Sequence, residues 1–421
     1  MDLPGALDGV AVVELASEEG AFAGKLLAEL GADVVLVEPP GGHPCRRYGP
    51  FLDDLPGDES SLWWWHAQRS KRSVVLDLDS PDGLGQLRRL VAAADVVLEA
   101  EPPGSLRRRA AGYDDLGPGH RRLVWASLTP YGEEDRRSVE PWTDLTLLAA
   151  GGPVWNCGYD DHRLPPVRGG WSQAFHIAGI HTVLAVLTAL VHRHRAGSGQ
   201  RIEVNVAAAA NVTTEIATME WLVAGATVQR QTGRHASVNP TAPSQVEAAD
   251  GRYVLLGFPP RAEEDYRALL QWMDELGLRD SFPDAALLQL GIERGGVAIV
   301  ELGVDPVARE VFDAGRAAMA HIAAHLPAYE AFSGFQRRGI VCGIVDSPEE
   351  AFEDTHTRSR GFPVAVEHPE LGRTIEYPGA PVRFGRSPWR VQRRAPLVDE
   401  HRQEVLDGEQ PTGGDTKGAP P

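Results

Sequence analysis

Two side chains near the start of the longest predicted helix could take part in proton transfer. His176 lies in the first turn of a helix predicted over residues 173–195, and an imidazole can take up or release a proton near neutral pH. Asp144 lies just before a shorter helix predicted over residues 145–150. Each has a structural alternative, because a helix-terminal histidine can bond to backbone and an aspartate is a favoured N-cap. The residues alone leave both alternatives open.

A compact basic cluster is the second candidate site. Arg69, Lys71 and Arg72 directly precede a strand predicted over residues 73–78, on a chain that is otherwise strongly acidic. Guanidinium forks match the geometry of phosphate oxygens, so this cluster could bind a phosphate-bearing ligand. A solvated loop is the alternative.

The first forty residues predict the scaffold that would carry such sites. Residues 10–15 and 32–38 read as buried strands, and residues 24–31 read as a helix between them. Such a βαβ crossover makes the strands parallel and usually begins a doubly wound α/β domain, which binds ligands where strand ends meet helix starts. The intervening turn lacks G-x-G-x-x-G and carries Glu18 and Glu19 where a pyrophosphate would lie. NAD is therefore not expected.

Composition argues against several classes of partner. The 421 residues include 59 Asp plus Glu against 41 Lys plus Arg, a net charge of −18, and 43% are hydrophobic. The acidic balance disfavours nucleic acid and anionic membranes, whose binding needs a basic face. We expect neither a leader nor a bilayer-crossing segment. The three cysteines are widely separated, which indicates a reducing cytoplasm. The histidines do not share helix faces, so a metal site is not expected.

Strand and helix signals alternate along the first half of the chain and predict a mostly parallel sheet. A Pro-, Thr- and Ser-rich stretch then separates this part from a more helical region. We expect four segments: a large domain over 1–225, a small domain with linkers over 226–340, a return to the large domain over 341–407, and a disordered tail over 408–421.

A series of short motifs extends along most of the chain in a fixed order. They are LAELGADV (27–34), VEPPGG (37–42), SKRSVVLDL (70–78), ADVVLE (94–99), TPYG (129–132), PVR (166–168), GSGQ (197–200), GRH with NP (233–240) and YPGAP (377–381). Each motif alone is unspecific. In this order and spacing the sequence resembles the class III coenzyme A transferases, the family of formyl-CoA transferase, the carnitine CoA-transferases and α-methylacyl-CoA racemase.

The resemblance implies a Rossmann-like large domain built from N- and C-terminal parts, an inserted smaller domain and an interlocked homodimer. It implies acyl-CoA and a carboxylic acid as substrates, with coenzyme A bound on the large domain. In the transferases an aspartate attacks the donor thioester and forms a mixed anhydride. The positions that match the family's coenzyme A contacts are Ser17, Glu18, Lys71, Arg72, Tyr131 and Gly132.

Two positions depart from the family pattern. Aligned without a gap from Arg168 to Gln200, the nucleophilic aspartate falls on Phe175, and a phenyl ring cannot form an anhydride. The arginine that usually precedes the Pro-Gly after Glu99 is replaced by Pro102. Both the usual nucleophile and one phosphate contact are therefore absent from the sequence.

Three functions are consistent with these residues. The first, favoured on the resemblance, is a class III CoA-transferase with an unconventional catalytic group. The second is an acyl-CoA racemase or epimerase, in which Asp144 and His176 move protons at the carbon next to the thioester. Asp144 occupies the place of a catalytic aspartate in the racemase branch. The third, motivated by Phe175, is an inactive CoA-binding homologue or a subunit that needs a competent partner.

Overall fold

The computed structural model describes residues 3–407. Contacts between residues divide the chain into two compact units. The first unit comprises residues up to 155, residues 167–218 and residues from 354 onward, and the second comprises residues 156–166 and 219–353.

The first unit contains a six-stranded parallel sheet. Its strands are β1 (Ala11–Leu15), β2 (Asp33–Glu38), β3 (Arg72–Val75), β4 (Val96–Glu99), β5 (Val124–Thr129) and β6 (Arg201–Asn205). Every neighbouring pair runs parallel, in the order β3-β2-β1-β4-β5-β6. The order reverses between β1 and β4, which leaves a crevice at the carboxyl ends of these strands. The predicted α/β class and parallel sheet are confirmed.

Helices flank this sheet. They are α1 (Glu18–Glu29), α2 (Leu62–Gln68), α3 (Pro81–Ala93), α4 (Ser105–Arg108), α5 (Tyr113–Leu116), α6 (Asp144–Gly151), α7 (Gln173–Ala196), α8 (Val206–Asn211) and α9 (Glu215–Ala224), whose last residues belong to the second unit. Val12 and Val34 enter a core with α1 and α7, whereas Val13 and Val35 enter a separate core with α3. Because helices cover both faces of the sheet, the side chains on both sides of each strand are apolar, and the strand sequences are continuous apolar runs.

Helix α1 begins at Glu18, earlier than the predicted start at residue 24. Ser17 is its N-cap, and the Ser17 hydroxyl accepts a 2.9 Å hydrogen bond from the Gly20 N–H. Farther along the helix, a Cβ at Gly24 would overlap the carboxylate of Glu14 on β1. This glycine therefore lets α1 lie close against the sheet.

Helix α7 confirms the helix predicted over residues 173–195. It ends at Gly197, which adopts a left-handed φ of 72°. It packs along α1, and a Cβ at Gly179 would lie 3.2 Å from the Ala23 nitrogen. The first turns of α1 and α7 are consequently held close to one another.

Helix α7 bears on the expectation that no segment crosses a bilayer, which stays a prediction. By length and composition alone, it is the one helix among residues 3–407 that could cross a membrane. Its apolar character has a local explanation, because Ala174, Ala178 and Val186 are buried in the core of the first unit. Core helices of soluble proteins can be equally long and apolar.

The second unit is mainly helical with short antiparallel strands. Its elements are β7 (Gln229–Gln231), β8 (Arg234–Ser237), β9 (Gln245–Glu247), β10 (Tyr253–Leu255), α10 (Glu263–Leu276), α11 (Ala285–Glu293), α12 (Pro306–Ala324), α13 (Ala328–Arg337), β11 (Gly343–Val345) and α14 (Pro348–Glu353). Strand β11 pairs with β10. The boundary after this unit therefore lies at residue 353 and not at the predicted residue 340.

The chain then returns to the first unit with α15 (Thr355–Ser359), β12 (Pro363–His368), β13 (Arg373–Pro378) and α16 (Arg402–Leu406). The segment before α16 borders the edge strand β3. The Val75 N–H donates to Asp399 Oδ1 at 2.7 Å, and the Ser70 N–H donates to the Arg393 carbonyl at 3.0 Å. The predicted disordered tail, 408–421, lies outside the described residues.

Candidate active site

The carboxyl edge of the sheet in the first unit carries a cleft of about 270 Å³. It lies beyond the ends of β1, β2 and β3, next to the position where the strand order reverses. Doubly wound sheets bind their ligands at this place. The Asp, Glu and Arg side chains that line the cleft are Glu38, Asp77, Asp79, Glu101 and Arg109.

Two of these lining groups already have strong partners. Glu38 is fully buried, and both of its oxygens lie 2.7 Å from the Arg46 guanidinium, so a cation already neutralises it. Arg109 donates to Asp79 at 2.7 Å and lies 3.7 Å from Glu101. The Arg109 side chain is 33% exposed. It is therefore a guanidinium of the cleft that could exchange a carboxylate for a phosphate.

Phe175, at the position of the expected nucleophile, lies inside the core. Its side chain is 2% exposed and its ring meets that of Trp142 edge to face, with centroids 6.1 Å apart. The neighbouring Ala174 and Ala178 are fully buried in the same cluster. No reacting group is offered to the cleft from this position.

Asp144 caps α7 and not the helix that it begins. Its Oδ1 accepts a 2.7 Å hydrogen bond from the Ala174 N–H, and its Oδ2 lies 3.1 Å from Arg168 Nη1. Thr143 is the N-cap of α6, which corrects the structural alternative expected for Asp144. Burial raises the pKa of Asp144, the nearby charge of Glu18 adds to this rise, and the Ala174 and Arg168 contacts oppose it.

His176 lies in the first turn of α7 and faces α1. Its ring centroid is 4.4 Å from that of Phe22. Burial and the charge of Lys25 lower the pKa of His176, which favours the neutral imidazole at pH 7. Lys25 is 4% exposed, and its Nζ lies 3.3 Å from His66 Nε2. A catalytic role for His176 stays a prediction.

Glu18 connects the start of α1 with the start of α7. Its Oε1 accepts a 2.8 Å hydrogen bond from the hydroxyl of Ser172, the residue just before α7. Its Oε2 accepts a 3.2 Å hydrogen bond from the Tyr48 hydroxyl. The buried Ser17 precedes it as the cap of α1. Ser17 and Glu18 therefore lie at the carboxyl edge, where contact with coenzyme A was predicted.

Lys71 lies beneath α1 and does not reach the cleft. Its side chain is fully buried, and its Nζ lies 2.8 Å from Glu14 Oε1 and 2.5 Å from Gln68 Oε1. Burial lowers the pKa of Lys71 and raises that of Glu14 to about 7, and the attraction between the two opposes both shifts. Arg69 forms a similar buried pair with Glu29.

Arg72 lies at the opposite edge of the sheet. It begins β3 and pairs with Asp33, which begins β2, and with Glu404 of α16. First residues of parallel strands share the amino edge, whereas the cleft is at the carboxyl edge. Lys71 and Arg72 therefore do not line this cleft, and their predicted contact with a phosphate of coenzyme A stays a prediction.

Tyr131 and Gly132 follow β5 at the carboxyl edge. Tyr131 is largely buried, and the Arg137 guanidinium lies 3.9 Å from the centre of its ring. Gly132 has a φ of 99°, and its N–H donates to Thr129 Oγ1 at 3.0 Å. This turn needs glycine because a side chain would be strained there. The predicted contact of both residues with coenzyme A stays a prediction.

The described residues give no sign of a metal centre. Within 3–407, no group of three or more His, Cys, Asp and Glu side chains is arranged to hold an ion. The predicted absence of a metal stays a prediction.

Sequence reasoning missed two contacts of this region, Glu18 with Ser172 and Lys25 with His66. They join residues 154 and 41 positions apart, so no local spacing reveals them. One sequence signal was available, the glycine at position 179 of α7. A glycine inside a long helix indicates that another helix packs closely against it, and here that helix is α1.

The fold is that of a doubly wound α/β protein with a cleft beside the strand reversal. Residues 7–402 match the family model described as CoA-transferase family III. The chain belongs to this family, which confirms the resemblance found in the sequence.

Individual relatives agree with this membership. The chain is 30% identical over 397 residues to succinyl-CoA:(R)-benzylsuccinate CoA-transferase subunit BbsE of Thauera aromatica, covering 94% of this chain and 92% of that protein. It is 29% identical over 404 residues to succinate–glutarate CoA-transferase of Agrobacterium fabrum, covering 95% and 94%. A crystal structure of a CAIB/BAIF family protein from Brucella suis has a TM-score of 0.77 at 25% identity, covering 96% of this chain and 100% of that chain.

Proposed function

We propose that this protein transfers coenzyme A from an acyl-CoA thioester to a carboxylic acid. The observation that carries the proposal is the family match over residues 7–402, which includes all six strands of the sheet and the cleft. The two relatives above are named for succinyl-CoA, benzylsuccinate, succinate and glutarate. Their names support dicarboxylic acids as the substrate class.

Coenzyme A binds in the cleft at the carboxyl edge in this proposal. Ser17, Tyr131 and Gly132 border that edge, and the Arg109 guanidinium meets the phosphates. Arg109 would exchange its contacts with Asp79 and Glu101 for phosphate oxygens, which accept a guanidinium fork equally well. Pro102 stands in the loop after β4 where the family usually has an arginine. Arg109, just after α4, would supply the positive charge that this replacement removes.

Two copies of the chain form the active dimer in this proposal. An apolar stripe on α7 supports it, because Ile180, Leu184 and Val191 are each more than half exposed. Their spacing brings them to one face of the helix. The free cysteines Cys45, Cys157 and Cys342 fit the reducing cytoplasm that the sequence predicts.

A subunit role is the second candidate, favoured by one observation. The Thauera relative is named a subunit, and Phe175 offers no carboxylate. The racemase alternative has less support, because Asp144 holds the start of α7 through the Ala174 N–H and is paired with the Arg168 cation.

An exchange assay separates these candidates. The dimeric fraction from size-exclusion chromatography is incubated with succinyl-CoA and isotopically labelled glutarate, and labelled glutaryl-CoA is the expected product. A monomer as the sole species would contradict the dimer. A dimer that binds coenzyme A by calorimetry without any exchange, over a panel of mono- and dicarboxylic acids, would overturn the transferase and favour the subunit.

A further inference from the structure

We propose that Glu18 is the nucleophile of this transferase and replaces the carboxylate missing at Phe175. The inference rests on the proposed function and adds to it the residue that forms the covalent bond. It uses a side chain for which sequence comparison predicted only a contact with coenzyme A.

The position of Glu18 is the first argument. Glu18 Oε1 is 2.8 Å from the hydroxyl of Ser172, which directly precedes α7 and stands three residues before Phe175. The same carboxylate adds to the raised pKa of Asp144, whose Oδ1 caps Ala174. The Ser172 contact thus brings Glu18 to the helix start where the family carries its aspartate.

The contacts of Glu18 are the second argument. Its hydrogen-bonding partners are two neutral hydroxyls, those of Ser172 and Tyr48. They fix the carboxylate without a cation that would compete for its lone pairs.

Other carboxylates near this edge are less suited to attack. Asp144 is 11% exposed, and its Oδ2 lies 3.1 Å from the Arg168 guanidinium, a cation that competes for its lone pairs. Burial raises the pKa of Glu19 to about 7, so much of it is protonated at neutral pH. Glu38 is fully buried against Arg46, and Glu14 against Lys71.

The chemistry balances without any added reagent. Glu18 attacks the thioester carbonyl, the C–S bond breaks, and the thiolate leaves with its electron pair, which gives a mixed anhydride. The thiolate then attacks Cδ of Glu18, so that the donor acid departs as a carboxylate and a glutamyl-CoA thioester remains. The acceptor carboxylate attacks this thioester, and the same two steps in reverse yield the new acyl-CoA and free Glu18.

Chemical trapping tests the assignment directly. Protein incubated with succinyl-CoA is treated with sodium borohydride, which reduces a glutamyl-CoA thioester to an alcohol, and its peptides are mapped by mass spectrometry. We expect the Cδ carboxyl of Glu18 to be reduced to a primary alcohol, which leaves a hydroxypropyl side chain. Reduction at Asp144 or any other acid, or no reduction at all, overturns the assignment.

A matched pair of variants gives the kinetic test. Glu18→Gln keeps an acceptor for Ser172 but cannot form an anhydride, so we expect kcat to fall at least about 10³-fold with coenzyme A affinity changed less than about threefold. Glu19→Gln is the control, because Glu19 is adjacent but partly protonated, and we expect it to keep its rate. A Glu18→Gln rate within about tenfold of the parent overturns the assignment.

The two proposals fail separately in these experiments. Exchange by the parent protein without reduction at Glu18 contradicts the nucleophile alone. Reduction at Glu18 without glutaryl-CoA formation contradicts the transferase while the covalent step stands.

Discussion

Phe175→Asp is expected to unfold the first unit more easily and to leave the exchange rate no higher. The Phe175 ring is 2% exposed and packs on Trp142. Its loss costs about 3–5 kcal/mol, as in other deletions of core aromatic side chains. A buried carboxylate adds to that cost unless it reaches solvent. Guanidinium denaturation followed by tryptophan fluorescence measures the free energy of unfolding.

Phe175→Leu is the control for this prediction. It keeps an apolar side chain of similar reach, so we expect a cost of about 1 kcal/mol. A Phe175→Asp protein that loses less than about 1 kcal/mol and gains exchange activity would contradict the buried position of this ring. It would mean that the side chain at residue 175 faces the site and that an aspartate there can react.

Two buried lysines are expected to give opposite results when replaced by methionine. Lys71 is fully buried against Glu14, so Lys71→Met leaves that carboxylate without its cation. We expect the free energy of unfolding to fall by about 3–5 kcal/mol. Lys25 has His66 as its hydrogen-bonding partner, and burial and the charge of Arg69 outweigh the attraction of Glu29. Lys25→Met is expected to stabilise the protein at pH 7 by on the order of 2 kcal/mol.

The pH dependence of the Lys25 effect has a definite sign. Burial, and next the charge of Arg69, lower the pKa of Lys25 from 10.5 to about 7. Between these two pH values Lys25 binds a proton in the unfolded chain but not in the folded protein. The folded protein is therefore most stable above pH 10.5, where Lys25 is neutral in both states, and it loses stability as the pH falls towards 7. The advantage of Lys25→Met should therefore be largest near pH 7 and shrink by pH 9.5. Denaturation of both proteins at the two pH values measures this, and a constant difference would contradict it.

Local patterns were sufficient for the sheet and the long helix. Continuous apolar runs such as residues 32–38 identify strands that are buried on both faces, and Gly197 marks the end of α7. The start of α1 was missed, because the cap at Ser17 lies in a segment that also reads as an acidic turn. The boundary after residue 340 was missed, because a strand signal does not reveal that β11 pairs with β10.

The candidate site was only partly accessible to sequence reasoning. Lys71 and Arg72 are adjacent in sequence, yet Lys71 lies inside the fold and Arg72 lies at the amino edge of the sheet. Successive side chains of an extended segment point in opposite directions, and the strand register decides which of them is buried. The basic cluster therefore did not form. The place of Glu18 depends on the crossing of α1 and α7, which is a tertiary contact.

Oxygen-18 tracing tests most directly the claim that this protein transfers coenzyme A between carboxylic acids through a mixed anhydride with its own carboxylate. Glutarate labelled in one carboxylate is supplied with unlabelled succinyl-CoA in ordinary water. Anhydride transfer predicts that glutaryl-CoA keeps one labelled oxygen and that the succinate released in later turnovers carries the other. Succinate that contains only oxygen from water or from the original thioester would contradict the account.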